Sequence, residues 1–132
     1  MPPLELAYVD ASAFVKLIRP EPETASLTKA LEGIARVVAS EILEVEVLRA
    51  SRRTGVDIAA ARAQLEAVRL IPLTASIRAL AGQLDPPTIR SLDAIHVATA
   101  SSLRERLTGL YSYDERMARA ARDAGLVVRS PN

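Results

Sequence analysis

Apolar positions along the chain switch repeatedly between two periods. Short runs rich in Val, Leu and Ile alternate with longer stretches in which apolar residues return every third or fourth position, so strand and helix alternate throughout. Leu4 to Val9 reads as a first strand, and Ala11 to Ile18 as a short helix stopped by Pro20. Thr24 to Glu32 is a second helix, ended by Gly33. Arg36 to Ala39 is a second strand. Ser40 then stands where it would cap a long helix running to about Thr54, with Gly55 just past its end. Asp57 caps an Ala-rich helix to Val68. Arg69 to Leu73 is a third strand, and Pro72 within it argues for a sheet edge. Thr74 begins a helix that ends before Pro86 and Pro87. Ser91 or Asp93 opens a strongly apolar helix to about Leu107, with Gly109 after it. Leu110 to Tyr113 is a fourth strand, Asp114 begins a helix ending at Gly125, and Leu126 to Arg129 is a fifth strand.

Strands joined by helices pair in parallel through right-handed crossovers. The expected fold is therefore α/β: a three-layer α/β/α sandwich around a central, mainly parallel five-stranded sheet. In such sheets ligands bind beyond the carboxyl ends of the strands, where the strand order reverses. Asp10 and Asp114 each follow directly on a predicted strand. If the first and fourth strands are neighbours across the reversal, the two acids face one crevice.

Composition narrows this picture. The 132 residues suit one domain, spanning 1–132, and they are 49% hydrophobic but only 3% aromatic. Its core is built of Ala, Val, Leu and Ile, and the chain is too apolar and regular to be disordered. No Cys is present, which excludes disulfides, thiolate catalysis and zinc–thiolate sites and fits the reducing cytoplasm. No apolar run approaches the length of a membrane span, and the run MPPLELAYVD lacks the basic start of a signal peptide. The net charge of +1 by itself suggests no polyanion partner. The cations are unevenly chosen, with fifteen Arg against two Lys. Arg suits bidentate contact with phosphate, while Arg-rich codon usage is the plainer explanation.

Four carboxylates carry the candidate chemistry: Asp10, Glu46, Asp93 and Asp114. Helix capping is an ordinary role for each of the three aspartates, and it can coexist with metal binding because a carboxylate has two oxygens. Glu46 is different. On a helical wheel it falls about 40° from Ile42, on the apolar face, while Glu41 and Glu44 fall on the far side. An unpaired buried carboxylate costs several kcal/mol, so Glu46 needs a partner. Arg49, three residues on, is one candidate; a metal ion shared with the aspartates is the other. Carboxylates gathered from distant parts of a chain usually hold a divalent cation, and a hard cation so held usually handles phosphates. Ser12 and Ser112 lie two residues from Asp10 and Asp114 and are placed to orient a carboxylate. His96, the single histidine, stands three residues after Asp93 on the apolar helix, where either a hydrogen-bonded structural role or a role as base fits. Arg116, Arg119 and Arg122 form a stripe just after Asp114, and Arg116 and Arg119 are the better candidates for phosphate contact because they begin nearest the acids. Arg49, Arg52 and Arg53 form a second cluster. Phe14, Leu17 and Leu27 suit either the core or a contact with another chain.

These residues resemble the motifs of PIN-domain ribonucleases, and within them the VapC-type toxins of VapBC toxin–antitoxin modules. YVDASAFVK is similar to the first motif, with Asp10 as its acid and Ser12 as its hydroxyl. SEILEVEVLRA is similar to the second, whose acid falls on Glu46. SLDAIHVATA looks like the third and most specific, with Asp93; YSYDERMARAA resembles the fourth, with Ser112 and Asp114. Any one motif is weak, but all four in order across essentially the whole chain are a strong match. The resemblance implies a Mg²⁺- or Mn²⁺-dependent endoribonuclease, a homodimer, and a cognate antitoxin whose tail blocks the site. Some members carry a further acid shortly after the fourth; here Glu115 is adjacent, and Arg116 and Met117 follow. A phosphoacceptor receiver domain would want paired acids after the first strand and a late Lys, and a haloacid-dehalogenase-type phosphatase would want Asp-x-Asp; Asp10-Ala11-Ser12 meets neither pattern. A non-catalytic module with an idle site and a DNA-directed nuclease of the same fold are the alternatives.

Overall fold

The computed structural model describes residues 4–132; residues 1–3, which head the N-terminal run considered above, lie outside the described residues. Along the chain run β1 (Leu6–Val9), α1 (Ala11–Ile18), α2 (Thr24–Glu32), β2 (Arg36–Ser40), α3 (Ile42–Thr54), α4 (Ile58–Glu66), β3 (Arg69–Ile71), α5 (Ala75–Gly82), α6 (Ser91–Ser101), β4 (Leu107–Tyr111), α7 (Glu115–Asp123) and β5 (Val128–Arg129). A single 3₁₀ turn, Arg104–Arg106, leads into β4. The five strands form one sheet in the order β3-β2-β1-β4-β5, and every pairing is parallel. From β1 the chain builds outward through β2 to β3, then returns to lay β4 on the other side of β1. The order reverses between β1 and β4, so the crevice beyond their carboxyl ends is the natural ligand position.

Local chemistry accounts for most element ends. Asp10, Asp57, Thr74 and Asp114 each accept a backbone N–H in the first turn of the helix that follows, supplying partners that the helix itself cannot. Gly55 closes α3 with φ of +74°, a conformation that costs glycine least. Ser40 is the buried last residue of β2, and its Oγ accepts the Ile42 amide at 3.3 Å. Pro72 follows β3 directly, at the sheet edge, where no further ladder bond is needed.

Several boundaries shift from the sequence expectation, and those around α6 and β4 matter most for the site. The apolar helix stops at Ser101, six residues before Leu107, because Ser102 turns its Oγ onto the Thr99 carbonyl and the chain tightens into the 3₁₀ turn. Gly109 consequently lies inside β4 rather than after a helix. A Cβ there would sit 3.1 Å from the side-chain carbons of Arg129, which crosses over it. At its other end β4 stops at Tyr111 rather than Tyr113. The Ser12 hydroxyl takes the Tyr113 amide at 2.8 Å and the Ser112 hydroxyl takes the Asp114 amide at 3.1 Å, so side chains replace the ladder. Asp114 therefore stands three residues beyond β4, not directly after it.

One core fills the space between sheet and helices, with Tyr8, Phe14, Leu27, Leu43 and Leu110 its largest fully buried members. Phe14 and Leu27 are therefore packing residues, while Leu17 is half-buried against the same core. Phe14→Ala removes the only Phe from a site with no exposure. It is expected to cost about 3–5 kcal/mol of stability, read by denaturant unfolding. A loss below about 1 kcal/mol would mean that α1 is not held by the core as described.

Candidate active site

Asp10 lies at the end of β1, and 2% of its surface is exposed. Its carboxylate accepts three hydrogen bonds: Ser12 donates to Oδ1 at 2.7 Å, the Ala13 amide donates to Oδ1 at 3.0 Å, and Ser112 donates to Oδ2 at short range. Burial raises the Asp10 carboxyl above the usual aspartate range, and the Ser112, Ser12 and Ala13 hydrogen bonds only partly oppose it. No cationic side chain among the described residues pairs with it. Ser112 ties Asp10 to the fourth acid, since the same Oγ accepts the Asp114 amide. Asp114 in turn caps α7, accepting the Arg116 and Met117 amides through Oδ1 at 2.9 and 3.3 Å. Capping and site placement coexist in both aspartates, each using the oxygens differently.

Asp93 is the third residue of α6 rather than its cap, and it is buried. Arg116 reaches across from α7 and donates from Nε to Asp93 Oδ2 at 3.0 Å, while its Nη2 lies 3.9 Å from Asp114 Oδ2. One guanidinium thus sits between two of the four acids, and the Asp93 hydrogen bond holds its pKa above the ordinary Arg value. About half of the Arg116 side chain remains exposed. Arg119, one turn on, is exposed, and among the described residues it forms no ion pair.

Glu46 points inward from α3, with 21% of its side chain exposed, while Glu41 and Glu44 face solvent. Its partner is not Arg49, which is exposed, but His96: Nε2 and Glu46 Oε1 lie 2.6 Å apart. The other imidazole nitrogen, Nδ1, lies 2.6 Å from the Tyr8 hydroxyl, and the Ser40 amide donates to that hydroxyl at 3.0 Å. Tyr8 is wholly enclosed, and burial raises its pKa far above the usual tyrosine range, so the hydroxyl keeps its proton. Sequence reasoning placed His96 near the interior but did not connect it to Glu46. The only signal was a polar residue on the inner face of each of two helices, with a tyrosine in the strand beneath.

Ser12 and Glu46 line the same groove, about 550 Å³ in volume, together with Val15, Ile42, Arg49 and Leu92. Asp93, Arg116 and Arg119 line a smaller cavity of about 220 Å³ with Thr88 and Ile89. Both recesses have arginines in their walls, Arg49 and Arg53 in the first and Arg116 and Arg119 in the second.

The donor set suits a hard divalent cation: four carboxylates, two hydroxyls, and one buried acid with no cation of its own. Among the described residues no three carboxylate or imidazole groups already converge at ligand distance. That does not oppose Mg²⁺, which takes one or two direct carboxylates and keeps several waters. Arg116 demonstrates that Asp93 and Asp114 already share one positive group.

A family model for the PIN domain matches residues 7–123, and the chain belongs to that family. Within it, the similarity extends to the VapC ribonucleases of Mycobacterium tuberculosis. Ribonuclease VapC47 of strain CDC 1551 / Oshkosh is 37% identical over 132 residues, covering 96% of this chain and 97% of that protein. Ribonuclease VapC46 of strain ATCC 25618 / H37Rv is 39% identical over 126 residues, covering 95% and 97%. Among solved structures, Mycobacterium tuberculosis VapC20, a sarcin–ricin loop cleaving toxin, superposes with a TM-score of 0.71 at 19% identity, covering 95% of this chain and 99% of that one. VapBC2 from Rickettsia felis, bound to a DNA fragment from its promoter, gives 0.73 at 16% identity, covering 96% and 99%. At such identities the structural likeness bears on the fold, and the sequence relatives bear on the family.

Proposed function

We propose that this protein is a Mg²⁺- or Mn²⁺-dependent endoribonuclease and the toxin of a type II toxin–antitoxin pair. The observation that carries the reading is Asp10: a buried acid at the sheet's switch point, without a cation, linked by Ser112 to Asp114. Asp10, Asp93 and Asp114 hold the ion directly or through water, and Glu46 completes the set. When bound, the ion supplies Lewis acidity to the scissile phosphate and makes water more acidic at that point.

The protein's own residues do the rest. Ser12 and Ser112 fix the Asp10 carboxylate, so that it does not turn away when the charge it faces changes. Asp114 is held by the α7 amides, near the positive end of that helix. Arg119 meets the RNA backbone, and the exposed face of Arg116 lies beside it. The relatives named as ribonucleases support RNA as substrate. A toxin–antitoxin complex from Klebsiella pneumoniae with the same fold supports an antitoxin partner, and homodimerisation and a cytoplasmic location accompany that reading. No helix among the described residues is long and apolar enough to cross a membrane.

Single-stranded RNA and DNA of one sequence, each incubated with the protein and Mn²⁺, provide the test. Cutting of RNA alone is expected, whereas preferential cutting of DNA would replace this proposal with a DNA-directed nuclease. Arg119→Ala is expected to raise KM for RNA about 3- to 10-fold with kcat unchanged, because a phosphate contact binds ground and transition states alike. The salt dependence of binding should flatten by about 0.7 in slope. An unchanged slope would assign Arg119 to the solvent.

A further inference from the structure

His96 takes no part in the proposed chemistry, yet it is the least expected buried group in the molecule. Only 1% of it is exposed, and both ring nitrogens are occupied within the protein. A base for substrate needs a nitrogen within hydrogen-bond reach of the reacting group, and His96 has none to offer.

The polarity of its hydrogen bonds follows from the ends of the chain of contacts. The Glu46 carboxylate can only accept, so His96 Nε2 carries a hydrogen there; in a neutral imidazole Nδ1 then has none, and the Tyr8 O–H donates to it while the Tyr8 oxygen accepts the Ser40 amide. The chain Ser40 N–H, Tyr8 O–H, His96 N–H, Glu46 runs in one direction and joins β2, β1, α6 and α3. The Tyr8 and His96 rings also meet edge to face, 80° apart with centroids at 5.7 Å, which limits rotation of the imidazole. Ser40, Tyr8 and His96 are buried, and Glu46, the last member, lines a groove with Ser12.

We propose that His96, locked in one tautomer by Tyr8, is a positioning residue that holds Glu46 toward the Asp10 side of the site. It rests on the reading of the four acids as a divalent-ion site, and it makes Glu46 a fixed arm rather than a free surface carboxylate. Carboxylates that face metal ions are commonly held by such outer hydrogen bonds, and losing one costs about 10- to 100-fold in metal affinity or activity.

The full-length chain carrying Tyr8→Phe, His96→Leu, His96→Gln or Glu46→Gln tests this. Mn²⁺ affinity is measured by calorimetry, folding by thermal melting, and kcat and KM on RNA. Tyr8→Phe and His96→Leu are each expected to weaken Mn²⁺ about 10-fold or more and to lower kcat without raising KM. Each should add little on top of Glu46→Gln, because all act through one carboxylate. His96→Gln keeps an N–H near the Nε2 position and should recover most of the affinity, which also covers the case in which His96→Leu does not fold. Lower melting temperatures with wild-type Mn²⁺ affinity and kcat would reduce His96 and Tyr8 to packing residues and overturn the proposal. So would effects that add in full to Glu46→Gln. Wild-type protein that binds no Mn²⁺ would instead overturn the metal reading itself, a result separable from either of these.

Discussion

Asp10→Asn is expected to cut RNA cleavage by about 10³-fold or more, which is about 4 kcal/mol of barrier, without loosening the fold. Asn has the same shape. Its oxygen still accepts from Ser12 and the Ala13 amide, and the Ser112 hydroxyl can turn to accept from its NH₂. What is removed is the charge. Burial raises the Asp10 carboxyl, so the folded, metal-free protein binds that proton more tightly than the unfolded chain does. The stability Asp10 contributes is thus fully present below the ordinary aspartate range and is lost as pH rises through the raised value. At about pH 7 the Asn variant should match or exceed the wild type in metal-free melts, and its advantage should shrink at about pH 3.5. Cleavage and stability then move in opposite directions. A variant that loses both would mean that Asp10 serves the fold rather than the chemistry.

Removal of the divalent ion should be as severe. EDTA is expected to bring cleavage to background, again about 10³-fold down, and excess Mg²⁺ or Mn²⁺ should restore it. A second consequence needs no RNA. An ion that binds only the folded state stabilises it by about 2.7 kcal/mol at 100 times its Kd, which for a chain of this size raises Tm by about 10 °C. Asp10→Asn should lose most of that rise. Cleavage that persists in EDTA, together with a Tm indifferent to Mn²⁺, would remove the ion from the account.

The layers and the parallel pairing were legible because many boundaries carry their own local chemistry, whereas the strand order emerges only from the folded sheet. Asp57, Thr74 and Gly55 act within a few residues of where they stand, so the chain announces them. The boundaries of β4 depend on partners far away in sequence. Gly109 reads as a helix stop until Arg129, twenty residues on, is seen crossing it. The fourth strand ends early because Ser12, from the first helix, claims the Tyr113 amide.

The site divides in the same way. Periodicity alone turned Glu46 inward, and the hydroxyls of Ser12 and Ser112 do meet Asp10. Neither spacing nor composition could pair Glu46 with His96, fifty residues away on another helix. Arg116 was legible as a cation near Asp114, but not as the group lying between Asp114 and Asp93, because that contact needs α6 and α7 side by side. Propensity and pattern speak for elements, while contacts between elements belong to the packed molecule.

The decisive measurement is cleavage of a mixed panel of structured and single-stranded RNAs by purified, antitoxin-free protein in Mg²⁺, in Mn²⁺ and in EDTA, beside an Asp93→Asn control. Cutting that requires the ion and disappears in the variant is expected, with both proteins equally folded. Equal cutting by the Asp93→Asn protein, or none by the folded wild type in either ion, would contradict the proposed function.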